Sequence, residues 1–240
     1  KRLFALIDDY GDNWLNVEID GVVSKLDLKE GVHNYTLFDG EAGEHTIRIT
    51  RRTGAPSGPT RILDVQAEGG AIQPTAMPDR RILVIGDSIT SGYGVEGVDQ
   101  SCGYTHATQN ADSAYPALVA KDFGADLHSV SFDGRGLIRN YSGDDETMDT
   151  VGSRLLPDSD TLWPASVYQP QVVVINLGTS DFSDGDPGDA FDAAYIGMIR
   201  NLRIAYPQAR IFAAFGPMLG GDSYTAARAS IYGVIDAIRK

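Results

Sequence analysis

The feature that most constrains the fold of this chain is an apolar run that stops at a small polar turn. Ile82 to Ile85 are four large aliphatic residues in a row, and Gly86-Asp87-Ser88 follows directly. Such a run is typical of a strand buried on both faces, and the glycine permits a sharp exit. Ser88 is therefore predicted to lie at the carboxyl end of a parallel strand, where open α/β sheets bind their ligands.

A serine at this place has two interpretations. Its hydroxyl, held beside the amide groups of the turn, is a candidate nucleophile. Alternatively, Ser88 only caps the helix that follows, as serines before helices often do. This local pattern alone does not decide between the two interpretations.

Composition excludes several classes of partner. The 240 residues carry a net charge of −13, which would repel nucleic-acid phosphates and anionic membrane surfaces. A neutral substrate fits this charge better. The single cysteine, Cys102, excludes an internal disulfide and a thiolate metal cluster. No apolar run approaches the length of a membrane span, and no signal peptide is present in this sequence.

The first part of the chain has the pattern of an antiparallel β-sandwich. Short apolar runs alternate with turns such as Asp20-Gly21 and Asp39-Gly40, at spacings typical of this architecture. The glycines and prolines between residues 69 and 78 predict a domain boundary. We therefore predict a small all-β domain of the jelly-roll type over residues 1–74 and a second domain over 75–240.

From residue 75 onward, apolar runs alternate with helical patterns, which indicates βαβ units on a parallel sheet. The predicted strands are Ile82–Ile85, Leu127–Val130, Val172–Ile175 and Ile211–Phe215. The predicted fold class of this domain is α/β, with a doubly wound and mostly parallel sheet. Because the sequence stops on a helix after four strands, we expect a carboxyl-terminal strand and loop to be missing from it.

Two further predicted strands end in polar turns that contain glycine. Ser131 to Gly136 follows one of them, and Asn176 to Asp181 follows the other. Because parallel strands end at the same edge of a sheet, these turns converge on Ser88. Glycine lets backbone N–H groups approach a substrate closely, as an oxyanion hole requires. Glycines that merely make tight turns are the alternative.

The combined pattern resembles the SGNH (GDSL-like) hydrolases. Gly86 to Gly94 is similar to their first block, Asp133 to Gly136 to their glycine block, and Gly178 to Asp181 to their Gly-x-Asn-Asp block. With the preceding β-sandwich, the chain most resembles the family 2 carbohydrate esterases, the acetylxylan esterase type. That resemblance implies a flavodoxin-like SGNH domain that removes acetyl groups from polysaccharide without a metal or cofactor.

The resemblance also implies roles for individual residues. Ser88 would be the nucleophile, and the Ser88 and Gly134 amides would donate hydrogen bonds to the oxyanion. Ser180 stands where the family has its third donor, an asparagine. The family's catalytic histidine belongs to an Asp-x-x-His block that this chain lacks, and neither His106 nor His128 corresponds to it. We expect that base outside this sequence.

Trp163 and Tyr141 are candidate sugar-stacking residues, with packing as their alternative role. The overall prediction is a secreted or periplasmic serine esterase, a location implied by the resemblance, that acts on acetylated xylan or a related polysaccharide or oligosaccharide. No membrane insertion and no nucleic-acid partner are expected. Two alternatives stay open. One is an SGNH esterase or lipase for another acyl ester, and the other is a carbohydrate-binding homologue with impaired catalysis.

Overall fold

The computed structural model describes residues 1–143 and 145–239, and the chain divides into two compact units. The first unit contains residues 1–77 and also residues 92–113. The second unit contains residues 78–91 and 114–240. The first unit is therefore discontinuous in sequence. Residues 92–113 are inserted into the sequence of the second unit but fold with the first unit.

The first unit is built on two antiparallel sheets of three strands each. In chain order its strands are β1 (Arg2–Asp9), β2 (Trp14–Ile19), β3 (Val22–Asp27), β4 (Gly31–Asp39), β5 (Ile47–Arg51) and β6 (Thr60–Ala67). One sheet has the order β4-β1-β6 and the other β3-β2-β5. The all-β prediction for this part of the chain is confirmed.

The core of the first unit is formed by the side chains on one face of β1 and one face of β2. Side chains of a strand point alternately to its two faces, and Leu3, Ala5 and Ile7 of β1 are all buried. They share one cluster with Leu15 and Val17 of β2. Because β1 and β2 belong to different sheets, this cluster is the apolar layer between the two sheets.

The inserted segment 92–113 is held to the β-sandwich by a buried arginine. Arg52, only 1% exposed, donates hydrogen bonds to Asn16 Oδ1 at 2.7 Å and to Glu96 Oε2 at 2.6 Å. Asn110 donates to the other Glu96 oxygen, at 2.6 Å. Burial alone would raise the pKa of Glu96, but hydrogen bonds from Arg52, Lys25 and Asn110 outweigh it and lower that pKa to about 2.

The second unit contains one parallel sheet of four strands. They are β7 (Arg80–Gly86), β8 (Ala125–Ser131), β9 (Val172–Asn176) and β10 (Arg210–Ala214), in the order β10-β9-β7-β8. All three neighbouring pairs are parallel. The chain adds β8 on one side of β7 and then returns to its other side for β9, which is the strand order of a flavodoxin-like fold.

Helices cover both faces of this sheet. They are α1 (Ser88–Ser91), α2 (Tyr115–Asp122), α3 (Met148–Val151), α4 (Thr179–Phe182), α5 (Asp189–Ala205) and α6 (Gly221–Arg239). Ile82 and Val84 of β7 are buried with Ala120 of α2 on one face, whereas Leu83 and Ile85 join the cluster of α5 and α6 on the other. The predicted doubly wound sheet, with β7 buried on both faces, is confirmed. In the described part of the chain, no helix combines the length and the apolarity needed to cross a bilayer.

Candidate active site

The first part of the site is the turn that follows β7. A Cβ on Gly86 would lie 1.9 Å from Thr90 Oγ1, so only glycine fits there. Asp87 Oδ1 accepts a hydrogen bond of 3.0 Å from the Ile89 N–H, and this carboxylate caps the start of α1. The cap is therefore supplied by Asp87 and not by Ser88. Ser88 itself is half-buried, between the buried Asp87 and the buried Thr90.

The Asp87 carboxyl is an unusual group to find beneath this turn. It is almost fully buried, and its Oδ2 has no hydrogen-bond partner among the described residues. Burial raises the pKa of Asp87 from the ordinary 3.8 to about 6, and the hydrogen bond from the Ile89 N–H only partly offsets this rise. Ionised Asp87 therefore destabilises the folded state near neutral pH.

This destabilisation predicts a pH dependence of stability. Between about pH 4 and pH 6, folded Asp87 holds a proton that the unfolded chain has already lost, so the free energy of unfolding falls as the pH rises. The full loss is about 3 kcal/mol. Asp87→Asn should remove this decline, so that the variant is more stable than wild type at pH 7 and not at pH 4.

Urea unfolding of wild type and Asp87→Asn at intervals between pH 4 and pH 7 measures the difference. Asp122→Asn, at the exposed end of α2, is the matched control and should follow the wild-type profile. A constant difference between Asp87→Asn and wild type across this range would show that Asp87 does not titrate there.

The second part of the site is the turn after β8. The Arg135 N–H donates to the Phe132 carbonyl at 3.2 Å, and Gly134 occupies the third position of this turn with φ of 74°. A positive φ at that position favours glycine. The Gly134 carbonyl accepts from the Tyr141 N–H at 2.9 Å. The Gly134 N–H donates to no residue that the structure describes.

A buried hydroxyl joins the first turn to the second. Ser91 Oγ contacts the Ser88 carbonyl oxygen at 3.1 Å and also hydrogen-bonds the carboxylate of Asp133, the residue before Gly134. The backbone adds a further link, because the Phe132 N–H donates to the Gly86 carbonyl at 3.2 Å. Sequence reasoning missed Ser91 and Asp133 as partners, since neither carries a motif that would pair them.

The third part of the site is the turn after β9, where Gly178 has φ of 126° and α4 begins. Ser180 is buried in the first turn of α4, and Asp181 is fully buried beside it. The predicted polar turn is thus a short helix. Ser180 occupies the position at which the SGNH hydrolases, which the sequence resembles, have an asparagine.

Asp181 joins the third turn to the chain that follows the second. Its carboxylate accepts three backbone N–H groups, those of Leu137 at 2.8 Å, Ile138 at 2.8 Å and Arg139 at 3.0 Å. A Cβ on Gly136 would lie 2.6 Å from Asp181 Oδ2, which explains the glycine there. Burial raises the pKa of Asp181, and the three amides oppose that rise. Asp181 therefore acts as a structural anchor.

Strand register brings the three turns together. Gly86 is paired with Ser131 of β8 and with Asn176 of β9, so the three strands end at the same level. Ser88, Gly134 and Ser180 follow these residues by two, three and four positions. They lie at the switch point of the sheet, where the chain reverses its direction of strand addition and where such folds bind ligands.

The histidines of the chain lie elsewhere. Of the four, only His128 belongs to the second unit. Its ring packs 4.5 Å from that of Trp163 and 5.3 Å from that of Tyr168, and burial lowers its pKa. His128 is therefore a half-buried residue that packs against Trp163 and Tyr168. His106 belongs to the first unit, where its Nδ1 is 3.7 Å from Asp12 Oδ2.

The two candidate sugar-stacking residues have different surroundings. Trp163 packs against the main core of the second unit and against His128, and its Nε1 is buried. This placement favours a packing role for Trp163. Tyr141 is 73% exposed and is bound through its backbone N–H to Gly134. Of the two residues, only Tyr141 is joined to the three turns. No set of three metal-binding side chains is found among the residues that the structure describes.

Comparison with known families gives two matches. Residues 84–240 match the GDSL-like lipase/acylhydrolase family, and residues 1–77 match the carbohydrate esterase 2 N-terminal family. The solved structure of a family two carbohydrate esterase from Clostridium thermocellum, in complex with cellohexaose, has a TM-score of 0.95 and 31% identity to this chain. That match covers 99% of this chain and 75% of the other.

Two curated relatives are similar in sequence. The cellulase/esterase CelE of Acetivibrio thermocellus is 34% identical over 233 residues, which are 94% of this chain and 28% of CelE. An acetylxylan esterase/glucomannan deacetylase of Cellvibrio japonicus is 33% identical over 227 residues, 90% of this chain and 62% of that protein. The chain thus spans less than two thirds of the length of either relative.

Proposed function

This chain belongs to the GDSL-like lipase/acylhydrolase family, with a carbohydrate esterase 2 N-terminal domain before it, and on that basis we propose that it is a serine esterase that removes O-acetyl groups from polysaccharide. The proposed substrate is acetylated xylan or a related glycan such as glucomannan, by analogy with the named activity of the relative from Cellvibrio japonicus. From a polymeric substrate of this kind we infer that the protein acts outside the cytoplasm.

In the proposed mechanism, Ser88 Oγ attacks the carbonyl carbon of the acetyl group. Its proton passes to a general base, for which we assign no residue of this sequence, and then to the sugar oxygen as that oxygen leaves. An acetyl ester on Ser88 results. Water then attacks this ester, releases acetate and restores the hydroxyl.

The negative charge that develops on the carbonyl oxygen needs preorganised donors. We assign the Gly134 and Ser88 N–H groups to this role, with the Ser180 hydroxyl as a third donor. A serine hydroxyl is shorter than an asparagine amide and rotates, so it reaches the oxyanion directly or through water. We assign Tyr141 to stack against a sugar ring. Its side chain is exposed, and its backbone N–H is hydrogen-bonded to the Gly134 carbonyl.

One observation carries the proposal. The Gly134 N–H has no acceptor among the described residues, and its turn is joined to the turn of Ser88 by the Ser91–Asp133 hydrogen bond. A nucleophile and a vacant amide donor are thereby held in a fixed relation, which acyl transfer requires. The Ser88 side chain is not needed to cap α1, because Asp87 caps this helix.

Acetate release tests the substrate class. The full-length protein is expected to release acetate from acetylated xylan or glucomannan and to cleave 4-nitrophenyl acetate far faster than 4-nitrophenyl palmitate. Preference for the palmitate would instead indicate a lipase. Binding of xylan without acetate release would indicate the carbohydrate-binding homologue that the Ser180 substitution suggests. Either result would contradict the proposal.

A further inference from the structure

An aromatic pair on the inserted segment 92–113 has no role in the mechanism above. The rings of Tyr93 and Tyr104 are stacked, with centroids 4.0 Å apart and planes inclined by 10°. Tyr93 is 48% exposed, although one face of its ring is covered by Tyr104. We call these two residues the Tyr93–Tyr104 platform.

The backbone fixes the position of Tyr93. It stands between Gly92, with φ of 73°, and Gly94, with φ of 66°, in a turn closed by the Val95 N–H and the Gly92 carbonyl at 3.2 Å. A Cβ on Gly92 would lie 2.4 Å from the Asn110 carbonyl oxygen. Asn110 is in turn part of the buried network of Arg52 and Glu96. The exposed ring is therefore held in place before any ligand arrives.

Polar contacts fix Tyr104 and border the platform. The Tyr104 hydroxyl donates to Oε1 of the fully buried Gln109 at 2.7 Å. The His106 ring lies edge-on to Tyr104, with centroids 5.4 Å apart, and Asp12 stands beyond it. His106 Nδ1 and Asp12 Oδ2 are 3.7 Å apart, which is an ion-pair distance and too long for a hydrogen bond.

A rigid, exposed aromatic face with polar atoms at one end suits a sugar ring, whose C–H groups are apolar and whose rim carries hydroxyls. Aromatic rings offer a large apolar surface at low entropic cost, and preorganisation lowers the cost of binding further. The net charge of −13 disfavours a polyanionic occupant. A neutral pyranose is thus the ligand that this surface fits best.

We propose that the Tyr93–Tyr104 platform binds a sugar ring of the polysaccharide, as a subsite in addition to Tyr141. The inference rests on the proposed function, because it assigns the platform to the same substrate. Tyr93 follows Ser88 by five positions in the sequence.

The test compares polymeric and small substrates in the full-length protein. In Tyr93→Ala, the ratio of kcat/KM on acetylated xylan to kcat/KM on 4-nitrophenyl acetate is expected to fall about tenfold, which corresponds to the loss of about one stacking contact. Tyr93→Phe should keep the wild-type ratio, because the ring remains. Tyr10→Ala removes a comparably exposed tyrosine, 46% exposed, from the same unit and should leave the ratio unchanged.

A binding measurement keeps this test independent of catalysis. Calorimetry with xylohexaose should show affinity about tenfold weaker for Tyr93→Ala than for wild type and unchanged for Tyr10→Ala. An unchanged ratio together with unchanged affinity in Tyr93→Ala would overturn the platform and leave the esterase proposal standing. A wild type that binds xylohexaose through Tyr93 but cleaves no ester would support the platform and overturn the esterase proposal.

Discussion

Ser88→Ala is expected to lower kcat/KM on acetylated xylan and on 4-nitrophenyl acetate by roughly 10⁴-fold or more, with binding of xylan oligosaccharides retained. The reason is that alanine removes the oxygen atom to which we assign the acyl ester, whereas the proposed donors of the Gly134 turn remain in place. Loss of the nucleophile from a serine hydrolase leaves only the residual catalysis of the oxyanion hole and of substrate binding.

Initial rates of acetate release, with circular dichroism as a check of folding, measure this effect. Ser129→Ala is the matched control, since Ser129 is an exposed serine of β8 outside the three turns, and it should retain wild-type rates. Mass spectrometry after incubation with a fluorophosphonate should show one adduct on wild type and none on Ser88→Ala. Activity of Ser88→Ala within tenfold of wild type would assign the nucleophile to another residue.

Asp181→Asn is expected to destabilise the second unit by about 3 kcal/mol. Asparagine keeps one oxygen and replaces the other with an NH2 group. One or two of the N–H groups of Leu137, Ile138 and Arg139 therefore lose their acceptor and face a donor in a buried place. Leaving a buried donor without a partner costs its full desolvation energy, which is larger than the net value of an ordinary hydrogen bond.

Urea unfolding followed by the helical circular dichroism band reports on the second unit, because that unit contains α1 to α6. Asp184→Asn changes an exposed carboxylate two residues after the end of α4 and should shift the free energy of unfolding by less than about 0.5 kcal/mol. Equal stability of Asp181→Asn and Asp184→Asn would show that Asp181 contributes little as an anchor.

The sequence predicts much of this fold because patterns of burial repeat along it. The run Ile82 to Ile85 is buried alternately against α2 and against α5 and α6, as an apolar run without alternation requires. The convergence of Ser88, Gly134 and Ser180 follows from the alignment of parallel strand ends. Strand β3 is harder to recognise, because Val22 and Val23 are exposed and most of its other side chains are polar.

Long-range polar pairs could not be predicted in this way. The Ser91–Asp133 hydrogen bond joins two turns through side chains that are common on any surface, so nothing local marks them as partners. Trp163 is a candidate for sugar stacking or for packing, and its contact with His128 depends on how a long irregular segment folds back onto β8. Single aromatic residues carry no periodicity from which such packing can be read.

The discontinuity of the first unit limits how this protein can be divided. A cut after residue 77 leaves Glu96 and Asn110 without Arg52 and Asn16, and leaves the buried guanidinium of Arg52 without its carboxylate. A buried charge that loses its partner is strongly destabilising. Neither fragment then satisfies its own buried polar groups, and we expect the β-sandwich to complete its folding only after residue 113 has been synthesised. Recombination at this boundary would separate the same partners, and we expect the two units to be inherited together.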